Sequence, residues 1–254
     1  MAYCSARCAT KFIANFVLLA LTSGSFAQNS GSTGGIEAKL APFSTAPVGP
    51  PPAPWRIATL PGTSRPITQL EVVDLDGQHV LKVQADKSYG NLLHGWKGSV
   101  HAVDWRWRLD KPLLRSNLRT RDGDDVALKL CLLFDMPTDK LSAGERAQLA
   151  VARALSRESL PSATLCYIWD HSLPVGTVLP NAFTPRLRYL VVDTGEARLG
   201  QWVPHHRDAA ADFAAVFGAE SDTLPPVTAI GVGADSDNTA DSTLGYVGDV
   251  LVTP

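Results

Sequence analysis

Eight consecutive residues, Val103-Asp104-Trp105-Arg106-Trp107-Arg108-Leu109-Asp110, alternate apolar and charged side chains without a break. Successive side chains of a β-strand point to opposite faces of the sheet. Val103, Trp105, Trp107 and Leu109 therefore share one face. Asp104, Arg106, Arg108 and Asp110 share the other. A strand of this kind belongs to a sheet packed on a core at one face and exposed at the other. The parity assigns the two tryptophans to the core, because Val103 and Leu109 accompany them. The arginines fall on the open face.

Beyond this strand, the same signals recur. Residues 69–73 and 79–85 flank Asp74-Leu75-Asp76-Gly77, whose Asp-Gly pair marks a hairpin. Further strand patterns cover residues 100–109, 165–169, 187–192, 227–232 and 247–252. Residues 126–134 are apolar at nearly every position, as in a central strand covered on both faces. Two helices interrupt the strands. Ser142-Ala143-Gly144-Glu145 is a capping box opening a helix to about residue 157. Asp208 caps a second helix over residues 209–217, with Gly218 as its stop. Many short strands between Gly, Pro and Asp turns predict an all-β, jelly-roll-like antiparallel β-sandwich with two short helices.

The 254 residues divide into three expected parts. Arg7 and Lys11 precede an apolar run at residues 12–21, and Ser25-Phe26-Ala27 fits a cleavage pattern. Residues 1–27 are thus read as a secretory signal peptide, because the run is shorter than the roughly 20 residues that span a bilayer. An uncleaved anchor is the alternative. Residues 28–54 are rich in Pro, Gly and Ser and are expected to form a linker. Residues 55–254 form the folded domain. Export predicts a periplasmic or secreted protein. Removing Arg7 and Lys11 from 23 basic residues leaves 21 against 25 acidic, a net charge of −4. That balance argues against a nucleic-acid partner. No other segment is long and apolar enough for a membrane span, and the oligomeric state is left open. Cys131 and Cys166 remain in apolar runs. An oxidising compartment permits a bridge between them, and two small buried residues are the alternative.

The order of several blocks carries a resemblance. It runs Val103-Asp104-Trp105-Arg106-Trp107-Arg108, Arg121-Asp122-Gly123-Asp124-Asp125, Leu165-Cys166-Tyr167-Ile168-Trp169 and Leu199-Gly200-Gln201-Trp202. Arg207-Asp208, Asp212-Phe213 and Phe217-Gly218 follow, and then Asp235-Ser236-Asp237-Asn238-Thr239 and Tyr246-Val247-Gly248-Asp249. From Trp55 onward the chain resembles the uncharacterised bacterial family known as domain of unknown function three-thousand-forty-seven. The resemblance implies an exported jelly-roll sandwich of the carbohydrate-binding kind. It implies no catalytic residue. Lys129 departs from it, since arginine is the expected residue there.

Candidate chemistry is sparse. Asp235, Asp237, Thr239 and Asp241 alternate like calcium ligands, with Asp249 as a further donor. An EF-hand loop is excluded by Ala240 at its sixth position and Tyr246 at its twelfth. A polar loop bonded to its own backbone explains the same residues. Beyond this structural calcium no cofactor is expected. Asp124 and Asp125 are adjacent and so point apart in a strand, which suits a structural carboxylate paired with Arg119 or Arg121. His205 and His206 could act as a base or bind metal, but no third ligand accompanies them. No Gly-x-Ser-x-Gly or Walker loop is present. Trp96, Trp169 and Trp202 are not constrained by alternation.

Arg106 and Arg108 share one strand face, Arg186 and Arg188 share another, and Lys129 is the one charge inside the central strand. If these strands are neighbours, they and Asp125 line a basic cleft suited to carboxylates. Salt bridges to Asp104, Asp125 and Asp235 would instead cancel the charge. The leading expectation is an exported module binding a saccharide, an acidic one included. The alternatives are a polysaccharide-cleaving hydrolase or lyase using Asp124 or Asp125 with His205 or His206, and a structural envelope protein without a pocket.

Overall fold

The computed structural model describes residues 39–59, 64–139, 141–156 and 160–254. The expected signal peptide and the first part of the expected linker lie outside them. Two sheets pack face to face as a jelly-roll-like sandwich. The larger has seven strands in the order β1 (Arg56–Ala58), β4 (Tyr89–Gly98), β11 (Val227–Asp235), β6 (Leu128–Phe134), β7 (Ala163–Asp170), β9 (Leu187–Thr194) and β8 (Val178–Pro180). The six-stranded sheet follows the order β10 (Val203–Asp208), β5 (Ala102–Lys111), β12 (Ser242–Val247), β3 (Gln78–Asp86) and β2 (Gln69–Leu75), with β13 (Leu251–Thr253) also on β5. Among the described residues, every pairing between these strands is antiparallel except β7 with β9.

Parity builds the core. Val103, Trp105, Trp107 and Leu109 of β5 are buried between the sheets, as their alternation requires. From the opposite sheet, Leu128, Leu130, Leu132 and Phe134 of β6 and Tyr167 and Trp169 of β7 meet them. Trp105 lies 5.2 Å from Tyr167 and 5.3 Å from Trp107, in tilted and edge-on geometry. Such aromatic pairs add about 1 kcal/mol beyond the area they bury. The other face of β6 is buried as well. Cys131 and Leu133 join a smaller cluster with Ile168, Tyr189 and Leu179, over which Leu118 and Val126 fold. That double cover explains why β6 is apolar almost throughout.

Local signals set the element ends. Asp76 (φ 56°) and Gly77 (φ 77°) are both left-handed, which is the type I′ geometry that an Asp-Gly hairpin demands. Helix α1 (Ala143–Ser156) is opened by the capping box: Ser142 N and Oγ donate to Glu145 Oε2, and Glu145 N donates back to Ser142 Oγ. Helix α2 (Ala209–Phe217) is capped by Asp208, which accepts from Ala211 N at 2.8 Å. Gly218 ends α2 in the right-handed region. A Cβ there would stand 2.3 Å from the Ala214 carbonyl, so close approach, not handedness, selects glycine.

Three expectations need correction. The linker does not run to residue 54: Leu40, Phe43 and Ala46 are buried in the core. Asp249 accepts from Phe43 N at 2.7 Å and Ser44 N at 2.9 Å, and Phe43 stacks on Trp55. Residues 39–54 thus form a strap anchored by Asp249, despite their proline content. The expected strand at 247–252 divides into β12 and β13, because Asp249 leaves the ladder to hold the strap. The expected set of strands also lacks residues 203–208, which form the edge strand β10, with Val203 paired to Trp107 and His205 to Trp105.

Cys131 and Cys166 face each other across β6 and β7 and are joined by a disulfide. They are 35 residues apart, a loop for which chain entropy gives about 4 kcal/mol. Replacing both with alanine should lower the unfolding free energy by about 2–4 kcal/mol. Urea denaturation of the oxidised wild type and the double variant measures this. Equal midpoints would show that the bridge adds no stability.

Candidate functional site

The outer face of the six-stranded sheet carries the alternating charges of β5. Arg106 lays its guanidinium 4.7 Å above the Trp202 ring and donates to Gln78 at the start of β3. Gly248 makes room for it, because a Cβ there would touch the Arg106 side chain at 2.9 Å. Arg108 stands 6.0 Å from the Tyr246 ring centroid. It is held by Asp110 at 2.6 and 3.1 Å and lies 3.9 Å from Asp76. His206 meets Asp104 at 2.7 Å, and Lys82 meets Glu71 at 2.5 Å. Most charge on this face is therefore cancelled pairwise. Among the described residues, Arg106 makes no carboxylate ion pair.

The expected basic cleft is not assembled. Lys129 alternates with the inward Leu128 and Leu130 and so faces outward from the other sheet. It donates to Asp235 Oδ1 at 3.0 Å, an oxygen that also accepts from Val126 N at 3.0 Å. Burial works against the Lys129 charge, but Asp235 and Tyr89 outweigh it and carry its pKa above the usual value. Arg186 and Arg188 lie beside α2. Arg186 reaches Glu145 at 3.4 Å and pairs with Glu220. Arg188 pairs with Glu220, donates to the Val216 carbonyl and covers the Phe217 ring at 4.3 Å. These contacts fasten both helices to β9. Strand order, which alternation along one strand does not encode, separates the five basic residues into three places.

Around Lys129 lies a buried polar nest. Asp124, 2% exposed, accepts from Asn181 Nδ2 and from the Tyr189 hydroxyl at 3.2 Å. Asp125 accepts from Asn238 N at 3.0 Å and Thr239 N at 2.7 Å, so it ties down the loop after β11. Asp124 and Asp125 thus accept from amide, hydroxyl and backbone donors, whereas Arg121, expected as an arginine partner, donates to the Ala182 carbonyl and covers Phe183 at 5.4 Å. Ligand atoms of Asp125, Asp235 and Asp237 lie within 4.8 Å of one another. Asp249, expected as a further donor, is at the strap instead. Lys129 and Arg65 already pair with Asp235 and Asp237, so two cations offset the three carboxylates.

The histidines are on the other side of the seven-stranded sheet from Asp124. His205 points inward from β10, stacked on Trp105 at 4.7 Å, and donates through Nε2 to Asp193 Oδ2 at 2.7 Å. Trp107 Nε1 donates to the same oxygen at 2.6 Å, and Arg198 pairs with the other. Asp193 reaches inward because the β7–β9 register shifts after Ile168, leaving Val192 unpaired. Neither Asp124 nor Asp125 is thus brought to a histidine. Asp193, Asn181 and Tyr189 escaped sequence reasoning: the bulge that turns Asp193 inward leaves no local mark. Trp96 and Trp169 are core residues, whereas Trp202 belongs to the outer face.

The model of a family described as "Protein of unknown function (DUF3047)" matches residues 53–251. No curated protein matches the chain. Among solved structures, it is similar to the endo-1,4-β-glucanase CelB2, a cellulase, at 11% identity, covering 78% of this chain and 93% of that one, with a TM-score of 0.40. It is similar to endoglucanase 3 of Trichoderma harzianum, from family GH12, at 10% identity, 80% and 99% coverage and a TM-score of 0.40. It is also similar to the CBM22 tandem domain of Paenibacillus barcinonensis Xyn10C, at 14% identity, 82% and 50% coverage and a TM-score of 0.33.

Burial, and then the Asp235 charge, push the Asp124 carboxyl up to about 7. An unfolded aspartate titrates near 3.9. Between these values the folded chain keeps a proton that the unfolded chain has released. Asp124 therefore reduces stability progressively as pH rises from about 4 to about 7, by on the order of 4 kcal/mol in full. Asp124→Asn should remove this slope and lose less stability than wild type between about pH 5 and about pH 8. Urea midpoints at both values measure the difference, and parallel slopes would disprove the assignment.

Proposed function

The chain belongs to the DUF3047 family, and we propose that it is an exported saccharide-binding module whose acidic ligand lies on the outer face of the six-stranded sheet. One observation carries this reading: Arg106 rests on the Trp202 ring with no carboxylate partner among the described residues. A guanidinium presents a planar fork that matches a carboxylate, and the indole beneath it holds that fork in place. Arg108 and Tyr246 extend the same surface by one strand. Lys129, Arg186, Arg188 and Asp125 have no part in it, since each is engaged elsewhere. Cleavage by Asp124 or Asp125 with His205 has less support, because sheet and burial keep these groups apart.

Binding should be electrostatic at its centre and weaken with added salt. Arg106→Ala should reduce retention on an acidic polysaccharide, such as polygalacturonate, by about tenfold or more, the size expected for a lost charged hydrogen bond. Arg106→Lys should restore only part of it, because an ammonium lacks the fork. Affinity electrophoresis against acidic and neutral polysaccharides measures both. Full retention by the Arg106→Ala, Arg108→Ala double variant would overturn the proposal.

A further inference from the structure

The face that carries Arg106 continues along β3. Gln78, Lys82, Gln84 and Asp86 share its parity, and Gln69 of β2 lies directly opposite Gln84. At the far end is a hollow of about 310 Å³, lined by Pro66, Ile67, Gln69, Gln84, Asp86 and Ser88. Gln84 is six residue steps along β3 from Gln78, about 20 Å at roughly 3.3 Å each.

We propose that this hollow is a second subsite and takes an uncharged, hydroxyl-rich sugar ring. Its lining has two chemistries. Pro66 and Ile67 form an apolar wall, and Ile67 is 53% exposed despite its size. Facing them are two amides and a carboxylate. Among the described residues, the side chains of Gln69, Gln84 and Asp86 make no hydrogen bond or ion pair. Each amide offers donors and an acceptor, and the carboxylate accepts only. A pyranose matches this arrangement, with C–H groups for the wall and hydroxyls that both donate and accept. A small number of convergent polar groups beside an apolar wall is the usual build of a small-molecule site. Ser88 is fixed beneath them: it accepts from Asp86 N at 3.0 Å and lies 3.2 Å from the Thr68 hydroxyl. Asp86 repels a carboxylate, so a uronate is excluded here although Arg106 favours one at the other end. The inference rests on reading this face as saccharide-binding. It deepens that reading to a chain with an acidic unit at Arg106 and a neutral unit about 20 Å away.

The test follows the side-chain amide signals of Gln69 and Gln84 by NMR in the intact protein, assigned with Gln69→Ala and Gln84→Ala. The probes are methyl glycosides of neutral hexoses and pentoses, with sodium glucuronate as the contrast. Both amides should shift saturably with at least one neutral glycoside and not with glucuronate. Gln69→Arg, which fills the hollow from the surface, should weaken binding by about tenfold or more with an unchanged melting temperature. Asp86→Asn should admit glucuronate. No shift with any neutral glycoside, or binding undiminished in Gln69→Arg, overturns the inference. Retention on polygalacturonate by Arg106→Ala is read separately, so failure at one end is distinguishable from failure at the other.

Discussion

One buried carboxylate ties the two sheets together. Asp193 of β9 is 0% exposed, and an unpaired charge at that depth would be prohibitive. Its partners come from across the sandwich: Trp107 from β5 and His205 from β10, with Arg198 closing the remaining side. Hydrophobic packing sets the sheet spacing but permits sliding, because it lacks direction. The Asp193 contacts are directional, and losing any one leaves a charge under-satisfied. The lateral position of the six-stranded sheet is therefore set from β9. So is the orientation of β5, whose arginines project on the far side.

This arrangement divides the polar residues between two tasks. Carboxylates inside, such as Asp193, or beneath loops, such as Asp125 and Asp235, accept several hydrogen bonds and hold the fold. The outer face of the six-stranded sheet is solvated and carries groups with donors to spare. Glu220 shows the same economy at the sandwich end, where it binds Arg186 and Arg188 together and fastens α2 to β9.

Much of the fold was legible where the signal is local. Asp76-Gly77 specified its turn through backbone handedness, and Ser142, Glu145 and Asp208 specified helix starts through hydrogen bonds a few residues long. The inward placement of Trp105 and Trp107 followed from parity alone. Failures came where distant segments decide. β4 was missed because Gly90, Asn91, His94, Gly95 and Gly98 dilute its apolar pattern; Gly233 is needed because a Cβ there would strike Asn91. β10 was missed because Pro204 and two histidines suit an edge strand only once β5 is beside it. For the site, parity correctly placed Arg106 on an open face, but strand order, absent from local pattern, dispersed its expected companions.

The bridge between Cys131 and Cys166 gains meaning from its position. The two residues are directly opposite on neighbouring central strands, and both point away from the main core. A slip of one residue between β6 and β7 would turn one thiol to the opposite face of the sheet. The sulfurs would then be out of reach. Oxidation can thus seal only the correct pairing, and the bridge acts as a proofreading mark on the middle of the larger sheet.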